Sequence, residues 1–247
     1  MRTLTILLLM IPLAARPAEA IVAVAANFAP MLEELGAQFE SSSPHSLRIS
    51  SGSTGKLYAQ IVNGAPFDLF LAADAERPRL LEASGYGVAG SRFTYATGRL
   101  VAWSADADLI GNDLASTLGQ DRVRRLAIAN PALAPYGAAA REVMDAMGIA
   151  DTFEGRLVMG ENVTQAFTLA ATRNADIGLV ALSTVLSLRG KRPGSYLAIS
   201  PALHEPIRQD ALLLVHGRDN EAALAFIRFL KTDKARAKIA ASGYGTE

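Results

Sequence analysis

Residues 51–74, SGSTGKLYAQIVNGAPFDLFLAAD, contain the features that decide the fold. A strand predicted at residues 46–51 leads into a polar turn, a helix predicted over residues 54–63 and an Asn-Gly turn. The run at residues 67–72 is then apolar on both faces apart from Asp68. Such a run is typical of a central parallel strand that is covered by helices on both sides. This strand–helix–strand order predicts an α/β fold.

Strands and helices alternate along the rest of the chain as well. The sequence predicts further strands at 21–26, 93–97, 100–104, 125–130, 177–182, 196–199 and 209–215, and further helices at 30–41, 76–84, 136–147, 162–173 and 220–241. Because the alternation covers two successive blocks, two smaller and mainly parallel sheets fit the length better than one very wide sheet. No period of about 20 to 50 residues repeats, which argues against a solenoid.

The composition excludes several classes of protein. Half of the 247 residues are hydrophobic and 19% are charged, which is ample for a buried core and unlike a disordered chain. Lys and Arg number 24, as do Asp and Glu, so the basic face that nucleic acids require is not expected. The chain has no cysteine and its three histidines are far apart, so we expect neither a free metal cation nor a cysteine nucleophile.

The first 20 residues are predicted to be a signal peptide. Arg2 supplies a positive charge, residues 4–13 are apolar, and Ala18-Glu19-Ala20 has the pattern of a cleavage site after Ala20. About ten apolar residues are too few for a membrane span, which needs roughly 20. The sequence therefore predicts an exported, soluble, periplasmic protein whose mature chain begins at Ile21.

Four junctions between a strand and a helix carry small or polar residues. They lie at residues 25–28, 50–55, 130–137 and 160–164. In open α/β sheets these junctions are at the carboxyl ends of the strands, where ligands bind. Each helix start has unpaired backbone N–H groups and a positive dipole end, so converging starts can bind an anion without Lys or Arg. Side chains that could add donors are Asn27, Ser53, Thr54 and Asn162.

Two other interpretations of these junctions remain open. Asn, Ser and Thr at helix starts are ordinary N-caps, although residues 50–55 supply more hydroxyl groups than one cap requires. A nucleotide site is disfavoured, because Lys56 follows Gly55 in the wrong place for a phosphate-binding loop. Catalysis has little support, since Asp68, Asp74 and Glu161 are better explained as capping or solvated carboxylates than as an acid–base pair.

The run 51–74 resembles the periplasmic molybdate-binding proteins of ABC importers, most specifically in the string G-A-P-x-D-L-F-x-x-A-D at residues 64–74. Motifs at residues 25–28, 90–96, 130–137 and 161–165 keep the order and spacing of that family. The resemblance implies a class II periplasmic binding fold. Such a fold has two α/β lobes, each a mainly parallel sheet flanked by helices, with the ligand in the cleft between them.

The resemblance also implies a set of ligand-binding residues. The binding positions of the family fall on Asn27, Thr54, Tyr136 and Val163, the last two acting through backbone N–H groups. Possible secondary contacts are Ala26, Ser53 and Asn162, and a tyrosine used by other members is replaced by Ala181. The chain is most similar to the subgroup that has Asn in the first binding turn, where the amide of Asn27 is expected to reach the ion.

The function implied is that of a monomeric solute-binding protein, not an enzyme, which needs no cofactor. It captures molybdate, and tungstate with it, and delivers the ion to a membrane permease of an ABC importer. The expected lobes are residues 21–101 with 205–247, and residues 102–204. Alternatives are a binding protein for another tetrahedral oxyanion such as sulfate, or an enzyme on the same fold.

Overall fold

The computed structural model describes residues 16–188 and 193–245, so most of the predicted signal peptide lies outside the described residues. Ten strands are described: β1 (Glu19–Ala25), β2 (Ser46–Gly52), β3 (Leu69–Leu71), β4 (Phe93–Gly98), β5 (Leu100–Ser104), β6 (Leu126–Ala129), β7 (Leu157–Gly160), β8 (Ile177–Ala181), β9 (Ser195–Ala198) and β10 (Ile207–Leu213). They form two sheets of five strands each. The fold is therefore α/β with two sheets, as the sequence predicts.

The described residues also form nine α-helices: α1 (Ala29–Ser42), α2 (Thr54–Val62), α3 (Glu76–Ala83), α4 (Leu114–Leu118), α5 (Pro135–Ala146), α6 (Val163–Ala171), α7 (Leu182–Ser187), α8 (Glu221–Leu230) and α9 (Asp233–Ala241). Short 3-10 helices lie at Asp151–Phe153, Pro201–Leu203 and Val215–Gly217. Within the described part of the chain, no helix combines the length and the apolar character that crossing a membrane requires.

Each sheet is mixed, with one strand that runs against the other four. The first sheet has the order β2-β1-β3-β10-β4, and β10 is antiparallel to both of its neighbours. The second sheet has the order β7-β6-β8-β5-β9, and β5 is antiparallel to both of its neighbours. In each sheet three adjacent strands are parallel, and their carboxyl ends lie at one edge. Four of the five strands in each sheet run in the same direction, as expected for mainly parallel sheets. The exceptions are β10 in the first sheet and β5 in the second.

The chain passes from the first sheet to the second at Arg99, between β4 and β5. The expected boundary after residue 101 falls inside β5, all of which belongs to the second sheet, because β5 pairs with β8 from Leu100 onward. The chain returns to the first sheet through β10. Helices α8 and α9 then pack on the first sheet, where Phe226 and Ile239 are fully buried in one cluster with Val24. We call each sheet with its packed helices a lobe.

Two local features differ from the sequence prediction. The helix predicted over 220–241 is two helices: α8 ends at Leu230, and Thr232 caps α9 by accepting a hydrogen bond from the Ala235 N–H at 3.3 Å. Strand β1 begins at Glu19, two residues before the predicted mature start, and Ala20 is fully buried. The last residues of the predicted signal peptide are therefore paired with β2 in the first sheet.

Candidate functional site

The four helix starts that the sequence singles out meet at one small cavity between the lobes. The starts of α1 and α2 come from the first lobe, and those of α5 and α6 come from the second. The cavity is narrow and suits a compact ligand rather than a nucleotide or a peptide. Its lining consists of Ala25, Ala26, Asn27, Gly52, Ser53, Thr54, Ala73, Ala134, Pro135, Tyr136, Asn162 and Val163. Among the described residues, none with a charged side chain lines it.

Backbone N–H groups are the main donors that this cavity offers. Thr54, Tyr136 and Val163 lie in the first turns of α2, α5 and α6, where an N–H has no partner within the helix. Asn27 lies in the turn just before α1. Within residues 16–188 and 193–245, no protein acceptor is recorded for these four N–H groups. Four donors from two lobes, together with four helix dipoles, favour a small anion at this position.

Two hydroxyl groups add to these donors. Thr54 Oγ1 accepts a hydrogen bond from the Ala73 N–H at 3.1 Å, which leaves its own proton available for a ligand. Ser53 is the N-cap residue of α2, yet its hydroxyl accepts no capping hydrogen bond. Ser53 Oγ is buried and has no partner among the described residues. An unpaired buried hydroxyl is costly, so a ligand that pairs with it would be favoured.

The structure corrects the expected roles of Asn27 and Ala26. The side-chain Nδ2 of Asn27 donates to Gln209 Oε1 at 2.9 Å and to the Tyr244 hydroxyl at 3.3 Å, so both of its protons are in use. The N–H of Ala26 donates to the carbonyl of Gly52 at 2.9 Å, just beyond the end of the pairing between β1 and β2. Of these two residues, only Asn27 therefore has a donor for a ligand, and that donor is its backbone N–H.

Asn162 and Ala181 also differ from what a ligand-binding role requires. Asn162 Oδ1 caps α6 by accepting a hydrogen bond from the Gln165 N–H at 3.0 Å. The ordinary capping interpretation of this side chain is thus confirmed. Ala181 is fully buried at the end of β8 and is not part of the cavity lining.

Hydrogen bonds across the cleft hold the two lobes together around the cavity. The N–H of Gly55 donates to the carbonyl of Leu133 at 2.8 Å, and Thr164 Oγ1 donates to the carbonyl of Ala26 at 3.2 Å. At the surface, Lys56 Nζ lies 3.2 Å from Glu161 Oε1. The structure is therefore that of the lobes in contact, with the cavity between them.

The nearby carboxylates have structural partners. Asp68 accepts a hydrogen bond from the Ile21 N–H at 2.7 Å and lies 2.9 Å from His216 Nδ1. Asp74 accepts a hydrogen bond from the Arg77 N–H at 2.8 Å, which confirms its predicted role at the start of α3. Burial raises the pKa of Asp74, and its hydrogen bonds and charge interaction with Arg77 oppose that shift. In the described ranges, no cluster of three or more His, Cys, Asp or Glu side chains is placed to hold a metal cation.

Comparisons with known proteins identify the family. Residues 20–245 match the model of the bacterial extracellular solute-binding proteins. The chain belongs to this family. The molybdate-binding protein ModA of Azotobacter vinelandii is 46% identical to this chain, and the match covers 95% of this chain and 92% of that protein. ModA of Rhodobacter capsulatus is also 46% identical, and the match covers 95% of this chain and 91% of that protein. The structure of the periplasmic molybdate-binding protein of A. vinelandii superposes with a TM-score of 0.88 and 40% identity, covering 92% of this chain and 99% of the other.

These comparisons confirm the family resemblance that the sequence motifs carry and the fold that it implies. The match to ModA of A. vinelandii covers nearly the whole of this solute-binding protein, including the four junctions that meet at the cavity.

A buried polar network behind the cavity of this solute-binding protein was not predicted from the sequence. Gln209 is fully buried, and its amide contacts Asn27, Tyr95 and Tyr136. Burial raises the pKa of the Tyr95, Tyr136 and Tyr244 hydroxyls, so all three are neutral at physiological pH. The sequence offered one signal of this network, the polar Gln209 at the start of the strand predicted at residues 209–215. That signal does not reveal which distant residues the Gln209 amide contacts.

Proposed function

We propose that this solute-binding protein captures molybdate between its lobes and delivers it to the permease of an ABC importer. The observation that supports this most is the cavity itself, where neutral donors from four helix starts converge without a cation or a carboxylate. The printed names of the two relatives that are 46% identical support the choice of molybdate. Among the described residues of the site, nothing favours an enzyme, since the carboxylates of Asp68 and Asp74 are engaged in hydrogen bonds with their neighbours.

In this proposal, hydrogen bonds alone replace the water shell of a dianion. The donors are the N–H groups of Asn27, Thr54, Tyr136 and Val163, with the hydroxyls of Thr54 and Ser53. Each hydrogen bond to a charged group contributes about 1.5–3 kcal/mol net of the water that it replaces, so six of them can make capture of the ion favourable. The peptide dipoles at the four helix starts add to this, and they are already oriented before the ion arrives.

A cavity that offers only hydrogen-bond donors also predicts which anions bind weakly. Monohydrogen phosphate has a proton that requires an acceptor, and the cavity lining offers donors with no carboxylate. Sulfate carries no proton at neutral pH, so it must be rejected by size, because S–O bonds are shorter than Mo–O bonds. Tungstate has the charge and the shape of molybdate, and we propose that it binds as well.

The remaining parts of the proposal concern the lobes, export and assembly. The lobes expected as residues 21–101 with 205–247 and residues 102–204 are proposed here as residues 21–99 with 205–247 and residues 100–204, because β5 belongs to the second sheet. The protein acts in the periplasm as a monomer after removal of a signal peptide. The lobes close on the ion about the segments that link β4 to β5 and β9 to β10, as in other hinged binding proteins.

Calorimetric titration of the purified, dialysed protein tests this function. We expect tight, one-to-one binding of molybdate and of tungstate, with sulfate and phosphate much weaker at the same pH. Binding of sulfate as tightly as molybdate would instead assign the cavity to the smaller oxyanion. Absence of binding for all four ions would refute an oxyanion carrier.

A further inference from the structure

Gln209 connects the two lobes directly behind the cavity. It lies on β10 of the first lobe, and its Nε2 donates to the hydroxyl of Tyr136, on α5 of the second lobe, at 3.2 Å. Its Oε1 accepts from Asn27 Nδ2 at 2.9 Å and is 3.1 Å from the Tyr95 hydroxyl. One amide thus contacts both Asn27 and Tyr136, whose backbone N–H groups face the cavity from opposite lobes.

The backbone of β10 is irregular at this residue. The pairing of β10 with β4 shifts register between Gln209 and Asp210, so that Gln209 faces Ala96 while Asp210 faces Thr94. A bulge of this kind redirects a side chain at a functional position. Both Gln209 and Asp210 are buried, and Asp210 is held separately by Arg92 and Thr94. The irregularity therefore presents the Gln209 amide to the interlobe side without disturbing its charged neighbour.

We propose that Gln209 is a positioning residue that couples ion capture to lobe closure. When the lobes close, the Tyr136 hydroxyl docks on Gln209 Nε2, and this contact places the Tyr136 N–H opposite the Asn27 N–H around the ion. This inference rests on the proposed function, because it assigns a role to Gln209 only in the closed, ion-loaded state.

The energetic argument depends on water. In the open state, water can satisfy both the Tyr136 hydroxyl and the Gln209 amide. In the closed state both groups are fully buried, with Tyr136 1% exposed and Gln209 0%, so each must find a protein partner. Removal of the Tyr136 hydroxyl leaves Gln209 Nε2 unpaired in the closed state only. The closed complex should then open and release its ion faster, while the association rate stays nearly constant.

Tyr136→Phe tests this coupling, because it removes the hydroxyl and keeps both the ring and the backbone N–H that faces the cavity. We expect release of radiolabelled molybdate, chased with unlabelled molybdate, to be roughly 5- to 100-fold faster, with the association rate within about twofold. Gln209→Met alone should also speed release. In the double variant, Gln209→Met should raise the release rate much less than it does in the wild-type background, as expected for two residues in one interaction. Tyr86→Phe, at an exposed position outside the cavity, is the matched control.

The outcomes separate this proposal from the proposed function. Faster release in Tyr136→Phe, with non-additive effects in the double variant, would support the coupling. Wild-type binding of molybdate with an unchanged release rate in Tyr136→Phe, or additive effects of the two substitutions, would overturn the role of Gln209 alone. Failure of the wild-type protein to bind molybdate at all would overturn the proposed function and this inference with it.

Discussion

Gly55 lies at a contact between the two lobes, and replacing it with alanine should oppose closure specifically. A Cβ atom added there would lie 3.1 Å from the carbonyl oxygen and 3.2 Å from the Cα of Leu133, in the opposite lobe. It would also lie 3.3 Å from a guanidinium nitrogen of Arg77. The first two contacts are with backbone, which must shift by a few tenths of an ångström to make room. The hydrogen bond from the Gly55 N–H to Leu133 would be weakened by the same shift.

The expected effects on affinity and on stability have opposite signs. Crowding of this kind costs about 1–2 kcal/mol, and it does so only in the closed state, so molybdate should bind roughly 5- to 30-fold more weakly in Gly55→Ala. In the open state the added methyl group meets nothing from the other lobe. There, alanine in helix α2 should stabilise the ion-free protein by about 0.4–1 kcal/mol, because it reduces the freedom of the unfolded chain.

Calorimetric titration and thermal unfolding of the same samples measure both effects. Gly36→Ala is the matched control, because Gly36 also lies within a helix and its added Cβ would meet only Leu47, at an ordinary 3.5 Å. That control should gain stability without losing affinity. If Gly55→Ala binds molybdate as tightly as the wild type, closure does not bring Gly55 against Leu133 and the reasoning is refuted.

Three further predictions concern the hydroxyl donors and the chain start. Thr54→Val should weaken molybdate binding about 10- to 150-fold and lower the melting temperature, because the Ala73 N–H also loses its acceptor, whereas Thr54→Ser should do neither. Ser53→Ala should weaken binding without lowering the melting temperature of the ion-free protein, because its hydroxyl has no partner among the described residues. A chain that starts at Glu19 should melt at a higher temperature than one that starts at Ile21, because only the longer chain keeps the full pairing of β1. Equal melting temperatures would contradict this.

The sequence was sufficient to predict the parts of the molecule that repeat a general pattern. Alternating strands and helices predicted an α/β fold, and the polar junctions at 25–28, 50–55, 130–137 and 160–164 do meet at one cavity. The reason is physical, since carboxyl ends of parallel strands lie at one edge of a sheet, whichever residues the strands contain. The motif at residues 64–74 then identified the family, which the comparisons confirm.

The sequence was not sufficient to predict what depends on contacts between distant residues. Asn27 was expected to reach the ion through its amide, but Gln209, 182 residues further along the chain, accepts that donor. Gly55 gave no sign of its approach to Leu133, because a glycine in a polar turn is explained equally well by the turn itself. Such roles depend on contacts that form only when distant segments pack together, and a local sequence pattern does not predict these contacts.

The most direct test of the proposed site is a crystal structure of the protein grown with molybdate, with anomalous diffraction recorded at the molybdenum absorption edge. We expect one strong anomalous peak in the small cavity, surrounded by oxygens within hydrogen-bonding distance of the N–H groups of Asn27, Thr54, Tyr136 and Val163. A peak in the larger cavity of about 330 Å³ beside Arg77 and Glu142, or no ordered molybdenum at all, would contradict this assignment.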